Sequence, residues 1–147
     1  MKIEKEIIVA IDPAWAKPYG VVVFKDDEVL EAELKDYSNL YYLLEFYCTN
    51  FYATIVIEEP YLGMNANTLL KLGYAVGGVI LVLSLFDTEY KLIKPMHWKK
   101  YFGLTSKIVP KVRQEIKNQL CPKNFLQKPD IQDAYLMGRY YIEKVRK

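Results

Sequence analysis

Asp12 and Glu58 each close an apolar run, in IIVAID and TIVIEE, and Asp130 and Asp133 stand three apart where the last helical stretch begins. An apolar strand that ends in a carboxylate sets that charge at the rim of a core. Carboxylates gathered from three such elements repel one another until a cation joins them, and hard divalent ions favour oxygen ligands of this kind. Two Mg²⁺ or Mn²⁺ ions about 4 Å apart clamp an in-line phosphoryl displacement, one acidifying the attacking water and the other countering charge on the leaving 3′ oxygen. That chemistry needs no side-chain nucleophile, which suits a chain without a Ser-His or Cys-His pairing. The pattern points to a divalent-metal-dependent nuclease. Singly, each acid has an ordinary explanation: Asp12-Pro13 a turn, Glu58-Glu59 a solvated rim, Asp130 a first-turn acid favoured by the helix dipole. Their order and spacing together carry the reading.

The elements that must position these acids follow from hydrophobic period and turn residues. Ile7 to Asp12 predicts a central strand stopped by Pro13, and Tyr19 to Phe24 a second strand. An Asp26-Asp27 turn leads into a third, Val29 to Leu34, in which Val29, Glu31 and Glu33 alternate with Leu30, Ala32 and Leu34. Ser38 is placed to cap a helix over 39–50, whose stripe is Leu40, Leu43, Leu44, Tyr47 and Phe51. Thr54 to Glu59 predicts a fourth strand. A long helix over 66–86 carries Gly73, Gly77 and Ser84 on one face, for close approach to the sheet or to a second subunit. Tyr90 to Lys94 predicts a fifth strand, followed by helices over 96–102, 109–120 and 130–145 and a polar connector over 121–129. The last helix would bury Ile131, Ala134, Tyr135, Gly138, Ile142 and Val145. The order matches an RNase H-like α/β fold: a mixed five-stranded sheet, three antiparallel strands then two parallel, with helices on both faces. Residues 1–147 read as one domain. On that frame Asp12 and Glu58 lie side by side, and Asp130 and Asp133 share one helix face.

Charge is divided along the chain. Residues 1–90 hold 6 Lys and Arg against 14 Asp and Glu, whereas residues 91–147 hold 14 against 4. A basic C-terminal third beside an acidic cluster suits a polyanion whose scissile phosphate meets bound metal. Cys48 and Cys121 have no zinc-ligand spacing and make no disulfide framework. MKIEKE does not open a signal peptide, and the apolar run 75–86 is shorter than the roughly 20 residues of a bilayer span. The expectation is a cytoplasmic protein, of a bacterium or of a host cell if viral, with no membrane and no small-molecule cofactor. The absence of a glycine-rich phosphate loop ranks an actin-like nucleotide-binding domain low.

IIVAIDP with YGVVVF resembles the opening of RuvC-type Holliday-junction resolvases. VIEEPYLGMNANTLLKLG resembles the family's second acidic motif: Glu58 is followed seven residues later by Asn65, then by Leu70-Lys71-Leu72-Gly73. DIQDAYLMG resembles the closing Asp-x-x-Asp-Ala motif, and the similarity spans about residues 6 to 143. The resemblance implies that Asp12, Glu58, Asp130 and Asp133 are catalytic metal ligands, with Glu59 as second choice, and that Tyr61 stacks on bases of an opened junction or else is simply buried. WKKYFGLTSKIVPKVRQ resembles the family's basic stretch, which makes Lys99, Lys100, Lys107 and Lys111 candidates for DNA phosphate contacts. The single histidine, His97, reads as structural beside Trp98 rather than as a proton carrier. The resemblance further implies a homodimer acting on branched, four-way DNA with two Mg²⁺ or Mn²⁺ ions per site. The chain departs from the family at Ala14, where glycine is usual, and in the loop AWAKP, which leaves Trp15 either near substrate or plugging the core.

Overall fold

The computed structural model describes residues 1–61, 63 and 65–146. Leu62 and Met64, within the second acidic motif, lie outside the described residues. The elements run β1 (Ile3–Asp12), β2 (Tyr19–Lys25), β3 (Glu28–Lys35), α1 (Tyr37–Asn50), β4 (Phe51–Glu58), α2 (Ala66–Leu85), β5 (Tyr90–Ile93), α3 (Pro95–Tyr101), α4 (Pro110–Leu120) and α5 (Pro129–Tyr140). The strands form one sheet in the order β3-β2-β1-β4-β5. β1 pairs antiparallel with β2 and parallel with β4, β2 antiparallel with β3, and β4 parallel with β5. This is the mixed five-stranded α/β sheet expected from the sequence.

β1 is central, so both its faces are covered and Ile7 to Ile11 are all buried. Alternation splits its side chains between two cores. Ile7, Val9 and Ile11 pack with α1 and α2, whereas Ile8 and Ala10 pack with Trp98 of α3 and Ile131, Ala134 and Met137 of α5. Asp12 and Glu58 keep the parity of Ala10 and Val56, both in the α5-side core. The two acids therefore leave the sheet on the face that carries α5.

Glycine decides how closely α5 lies on that face. A Cβ on Gly138 would stand 2.4 Å from the Phe24 ring and 3.1 Å from Ala10 Cβ. A Cβ on Gly20 would stand 2.3 Å from the backbone oxygen of Asp130. The last helix thus docks through one glycine of its own and one in β2.

Several local expectations are corrected. Asp36, not Ser38, caps α1, its carboxylate accepting from the Asn39 amide at 2.9 Å. β3 is an edge strand whose Val29, Leu30 and Leu34 are all exposed, so its alternation marks no buried face. The connector after α4 contains a 3₁₀ turn, Lys123–Phe125, that buries Phe125. α5 ends at Tyr140 and passes into one π-helical turn, Tyr141–Val145, where Val145 is exposed; Tyr135 is only half-buried, and Gln132, Leu136, Met137 and Tyr141 are buried instead. The 75–86 run belongs to a helix of 20 residues that is long and apolar enough to cross a bilayer by length and composition. Here α2 lays Ala75, Val76, Val79, Val82 and Leu83 on the sheet. Gly73 and Gly77 have open space beyond them, which removes the option that they let α2 approach the sheet.

Candidate metal and nucleic-acid site

Ile11 pairs with Ile57 across the β1–β4 ladder, so the next residues, Asp12 and Glu58, emerge side by side. On the other flank Asp12 pairs with Gly20, the residue over which the first turn of α5 sits. That contact brings Asp130 to Asp12, and their side chains share a hydrogen bond. All four acids are half-buried. Burial, followed by the charges of Glu58, Asp133 and Asp130, pushes the Asp12 carboxyl up to about 9. Asp12 therefore holds a proton at neutral pH in the metal-free chain and donates it to Asp130. Burial also raises Glu58, against the pull of the Trp98 N–H and of Lys99 and Lys117.

Each of the other acids is held by a neighbour. Trp98, fully buried, donates from Nε1 to Glu58 Oε2 at 2.8 Å. Lys17, in the loop after β1, reaches Asp130 Oδ2 at 3.3 Å. Lys117 reaches Asp133 Oδ1 at 2.6 Å. Among the described residues no three acids, histidines or cysteines stand together in the grouping that one ion requires. The acids are near enough to perturb Asp12, and three of them are turned toward an indole and two ammonium groups. The donors are nevertheless of the type a hard cation takes: four carboxylates.

Of the remaining assigned residues, Glu59, Tyr61 and Lys99 line clefts that include one of these acids. Tyr61 is 49% exposed. It lines a small cleft with Pro13, Glu58 and Glu59, so the option of ordinary burial for Tyr61 is removed. Glu59 is half-buried at that rim, and its amide donates to the carbonyl of Ile93. Lys99 lies over the Trp98 ring at 5.5 Å and lines a second cleft of about 170 Å³ with Arg113, Gln114, Lys117 and Asp133. Lys100, Lys107 and Lys111 are exposed on α3, on the following loop and on the first turn of α4. His97 is exposed beside buried Trp98. Trp15 is exposed against Tyr74 of α2, ring centres 5.9 Å apart, and does not plug the core. A larger cavity, about 370 Å³, lies at the far end of β1 among Glu6, Asp26, Asp27 and Arg146, remote from the four acids.

Sequence reasoning missed five positioning features. Lys17 and Lys117 carried no motif. Trp98 was seen only as a neighbour of His97. Gly20 did leave a signal, since glycine inside a strand often marks close backbone approach. The fifth is an amide network: Gln114 Nε2 donates to Gln132 Oε1 at 3.0 Å and to Asn118 Oδ1 at 2.9 Å, and Gln132 Nε2 donates to Asn118 Oδ1 at 3.0 Å. Gln132 is fully buried between Asp130 and Asp133, and the network ties α4 to α5 there.

No protein-family model matches the sequence, and no curated protein does. The fold does match solved structures. A T. thermophilus RuvC in complex with a Holliday junction substrate aligns with TM-score 0.71 over 95% of this chain and 94% of its own, at 14% identity. A second Thermus thermophilus RuvC structure aligns with TM-score 0.66 over 95% of each chain, also at 14% identity. Across nearly its whole length, the chain is built on the fold of RuvC Holliday-junction resolvases.

Proposed function

We propose that this chain is a structure-selective endodeoxyribonuclease that cuts four-way DNA junctions by divalent-metal-dependent hydrolysis, acting as a homodimer that makes symmetric nicks. One observation carries the reading: on a RuvC fold, Asp12 leaves the sheet beside Glu58 and against the first turn of α5, where burial, followed by the charges of Glu58, Asp133 and Asp130, pushes its carboxyl up to about 9. Asp12, Glu58, Asp130 and Asp133 hold the ion, with the Trp98 N–H fixing the Glu58 carboxylate and Lys17 swinging away on its loop. When bound, Mg²⁺ or Mn²⁺ supplies a water of lowered pKa and a counter-charge for the leaving 3′ oxygen. Lys99, Lys100, Lys107 and Lys111 take backbone phosphates, and exposed Tyr61, beside Glu58, offers a ring face to an unpaired base at the junction.

Symmetric nicking requires two sites related by a twofold axis. α2 supports a dimer through its outward face. Leu70, Tyr74, Leu81 and Leu85 are all exposed, and with open Gly77 they recur at the three-and-four spacing of a helix-pairing seam.

One observation favours a competing reading, a junction-binding protein that does not cut: the acids are not drawn together about a common point among the described residues. The test is to incubate the purified chain with a mobile four-way junction, a flap and an RNA–DNA hybrid in Mg²⁺ or Mn²⁺, and to map the nicks. Paired nicks confined to the junction, lost in Asp12→Asn and Glu58→Gln while junction binding persists, support the proposal. Binding without any nick supports the competing reading, and cutting of the hybrid or flap alone reassigns the substrate.

A further inference from the structure

The cleft beside Asp133 has three cations in its lining, Lys99, Arg113 and Lys117, against that one carboxylate. Lys117 is matched by Asp133 at 2.6 Å. Lys99 has its ammonium 5.5 Å from the centre of the Trp98 ring, a face contact that spends none of its donors on a carboxylate. Arg113 is the unbalanced group. Its Nε is buried and meets no hydrogen-bond acceptor among the described residues. A guanidinium stays charged at any working pH, and a buried charged donor without an acceptor is costly. The cleft therefore carries more positive charge than its own lining neutralises.

The helix that carries Arg113 is held so that this charge stays in place. α4 has no fully buried residue, so apolar packing does little to fix it. Gln114 and Asn118, four apart on one face, are bonded to each other and to buried Gln132 of α5. Arg113 and Lys117 stand one position before them, also four apart. A satisfied amide network sets a unique register between two helices, and here it fixes both cations beside the amides. The cleft also adjoins the four acids: Asp133 lines it, and Trp98, which lines it too, donates to Glu58. Outward from it, exposed Lys100, Lys107 and Lys111 continue the positive charge along α3, the following loop and the first turn of α4.

A guanidinium fork with an ammonium nearby suits a phosphate, whose several oxygens accept from both. Leu104 and Pro110 add apolar walls that strengthen such bonds. The row of lysines leading away from the cleft suits a chain of phosphates rather than a single free anion. We propose that this cleft is a phosphate pocket, in which Arg113 and Lys99 hold one backbone phosphate of the DNA strand that runs on to the acids. The exposed lysines take phosphates without distinguishing one from the next. Arg113, confined to the cleft, takes one phosphate only, and so sets which phosphodiester lies at the acids. The inference rests on the reading of the chain as a junction-binding protein and adds the residue that fixes the strand's register.

The test reads binding rather than turnover. Four-way junctions are made with one phosphate at a time, along the strand near the crossover, replaced by a neutral methylphosphonate. Their affinities for the full chain are measured in chelator, for wild type and Arg113→Gln. In wild type one position should stand out, weakening binding roughly tenfold or more. Arg113→Gln should bind the unmodified junction weaker by a similar factor and be indifferent to the replacement at that position, while still responding elsewhere. Equal small losses at every position in wild type, or an Arg113→Gln variant that responds there as wild type does, overturns the pocket and leaves the junction reading standing. Inorganic phosphate that binds wild type but not Arg113→Gln, with no position standing out on the junction, overturns the strand as its source. No binding of the unmodified junction overturns the junction reading, and this proposal with it. If Arg113→Gln fails to fold, Lys99→Gln, in the same cleft, is held to the same outcomes.

Discussion

Replacing Asp12 with asparagine should stabilise the metal-free chain, although it removes a residue central to the proposed activity. The Asp12 carboxyl moves from an ordinary 3.8 to about 9 on folding. Each unit of such a shift is worth about 1.4 kcal/mol. Because the folded value is the raised one, the penalty is absent below pH 3.8, grows as pH rises toward 9 and is constant above. At pH 7 the folded chain takes up a proton that the unfolded chain has lost, at a cost of up to about 4 kcal/mol. Rotation of Lys17 and entry of water reduce that ceiling, so a gain of about 1–3 kcal/mol at pH 7 is expected. Asparagine carries no charge, and its amide can donate to Asp130 as the protonated acid does. For 147 residues, the entropy of unfolding is about 0.3 kcal/mol per degree, so the gain corresponds to a rise in Tm of roughly 3–10 °C. The assay is denaturant unfolding of both proteins in chelator at pH 5, 6, 7 and 8. The stability gap should widen with pH by up to about 1.4 kcal/mol per unit. In excess Mg²⁺ the order should narrow or reverse, since only wild type keeps the full ligand set and gains binding free energy. A gap that is flat with pH, or a variant no more stable than wild type at pH 8, would refute the argument that burial and the neighbouring acids hold the Asp12 carboxyl well above its ordinary range.

Gly20→Ala puts a methyl group where the Asp130 carbonyl lies, 2.3 Å away. It should cost about 1–3 kcal/mol in unfolding free energy and lower cleavage at least tenfold with junction affinity retained. An unchanged rate would mean that the approach of α5 to β2 does not set the site. Trp98→Phe keeps a ring in the α3 core but removes the donor to Glu58; a loss of about 1–3 kcal/mol and weaker Mn²⁺ binding are expected, and unchanged Mn²⁺ affinity would show that Glu58 needs no orientation. Lys111→Ala, at an exposed first-turn position, should weaken junction binding alike for all sequences and flatten the salt dependence by about one phosphate contact. An unaltered salt slope would place α4's first turn off the DNA. Leu81→Asp, on the outward face of α2, should convert a dimer to monomers in sedimentation, whereas an unshifted mass would locate the interface elsewhere.

The sequence by itself determined the sheet and the positions of its acids, because both depend on short-range order. Continuous apolar runs made β1 and β4 central, Pro13 and Pro60 ended them, and period-two alternation put Asp12 and Glu58 on one face. The three-residue spacing of Asp130 and Asp133 likewise needed only helical geometry. Capping was less legible: Asp36 and Ser38 both suit a helix start, and the chain path chose Asp36. Tertiary structure alone decided what faces those acids. Lys17 meets Asp130 across 113 residues, Trp98 meets Glu58 across 40, and a bare backbone position at Gly20 admits the helix that completes the cluster. Such contacts depend on where separate elements cross, and no local period encodes the crossing. The same holds for α2, whose glycines promise close packing in the sequence but whose partner face is open in the folded chain. Local chemistry therefore named the candidate acids, while the packing of α4 and α5 on the sheet set their burial, their lysine partners and the space left between them.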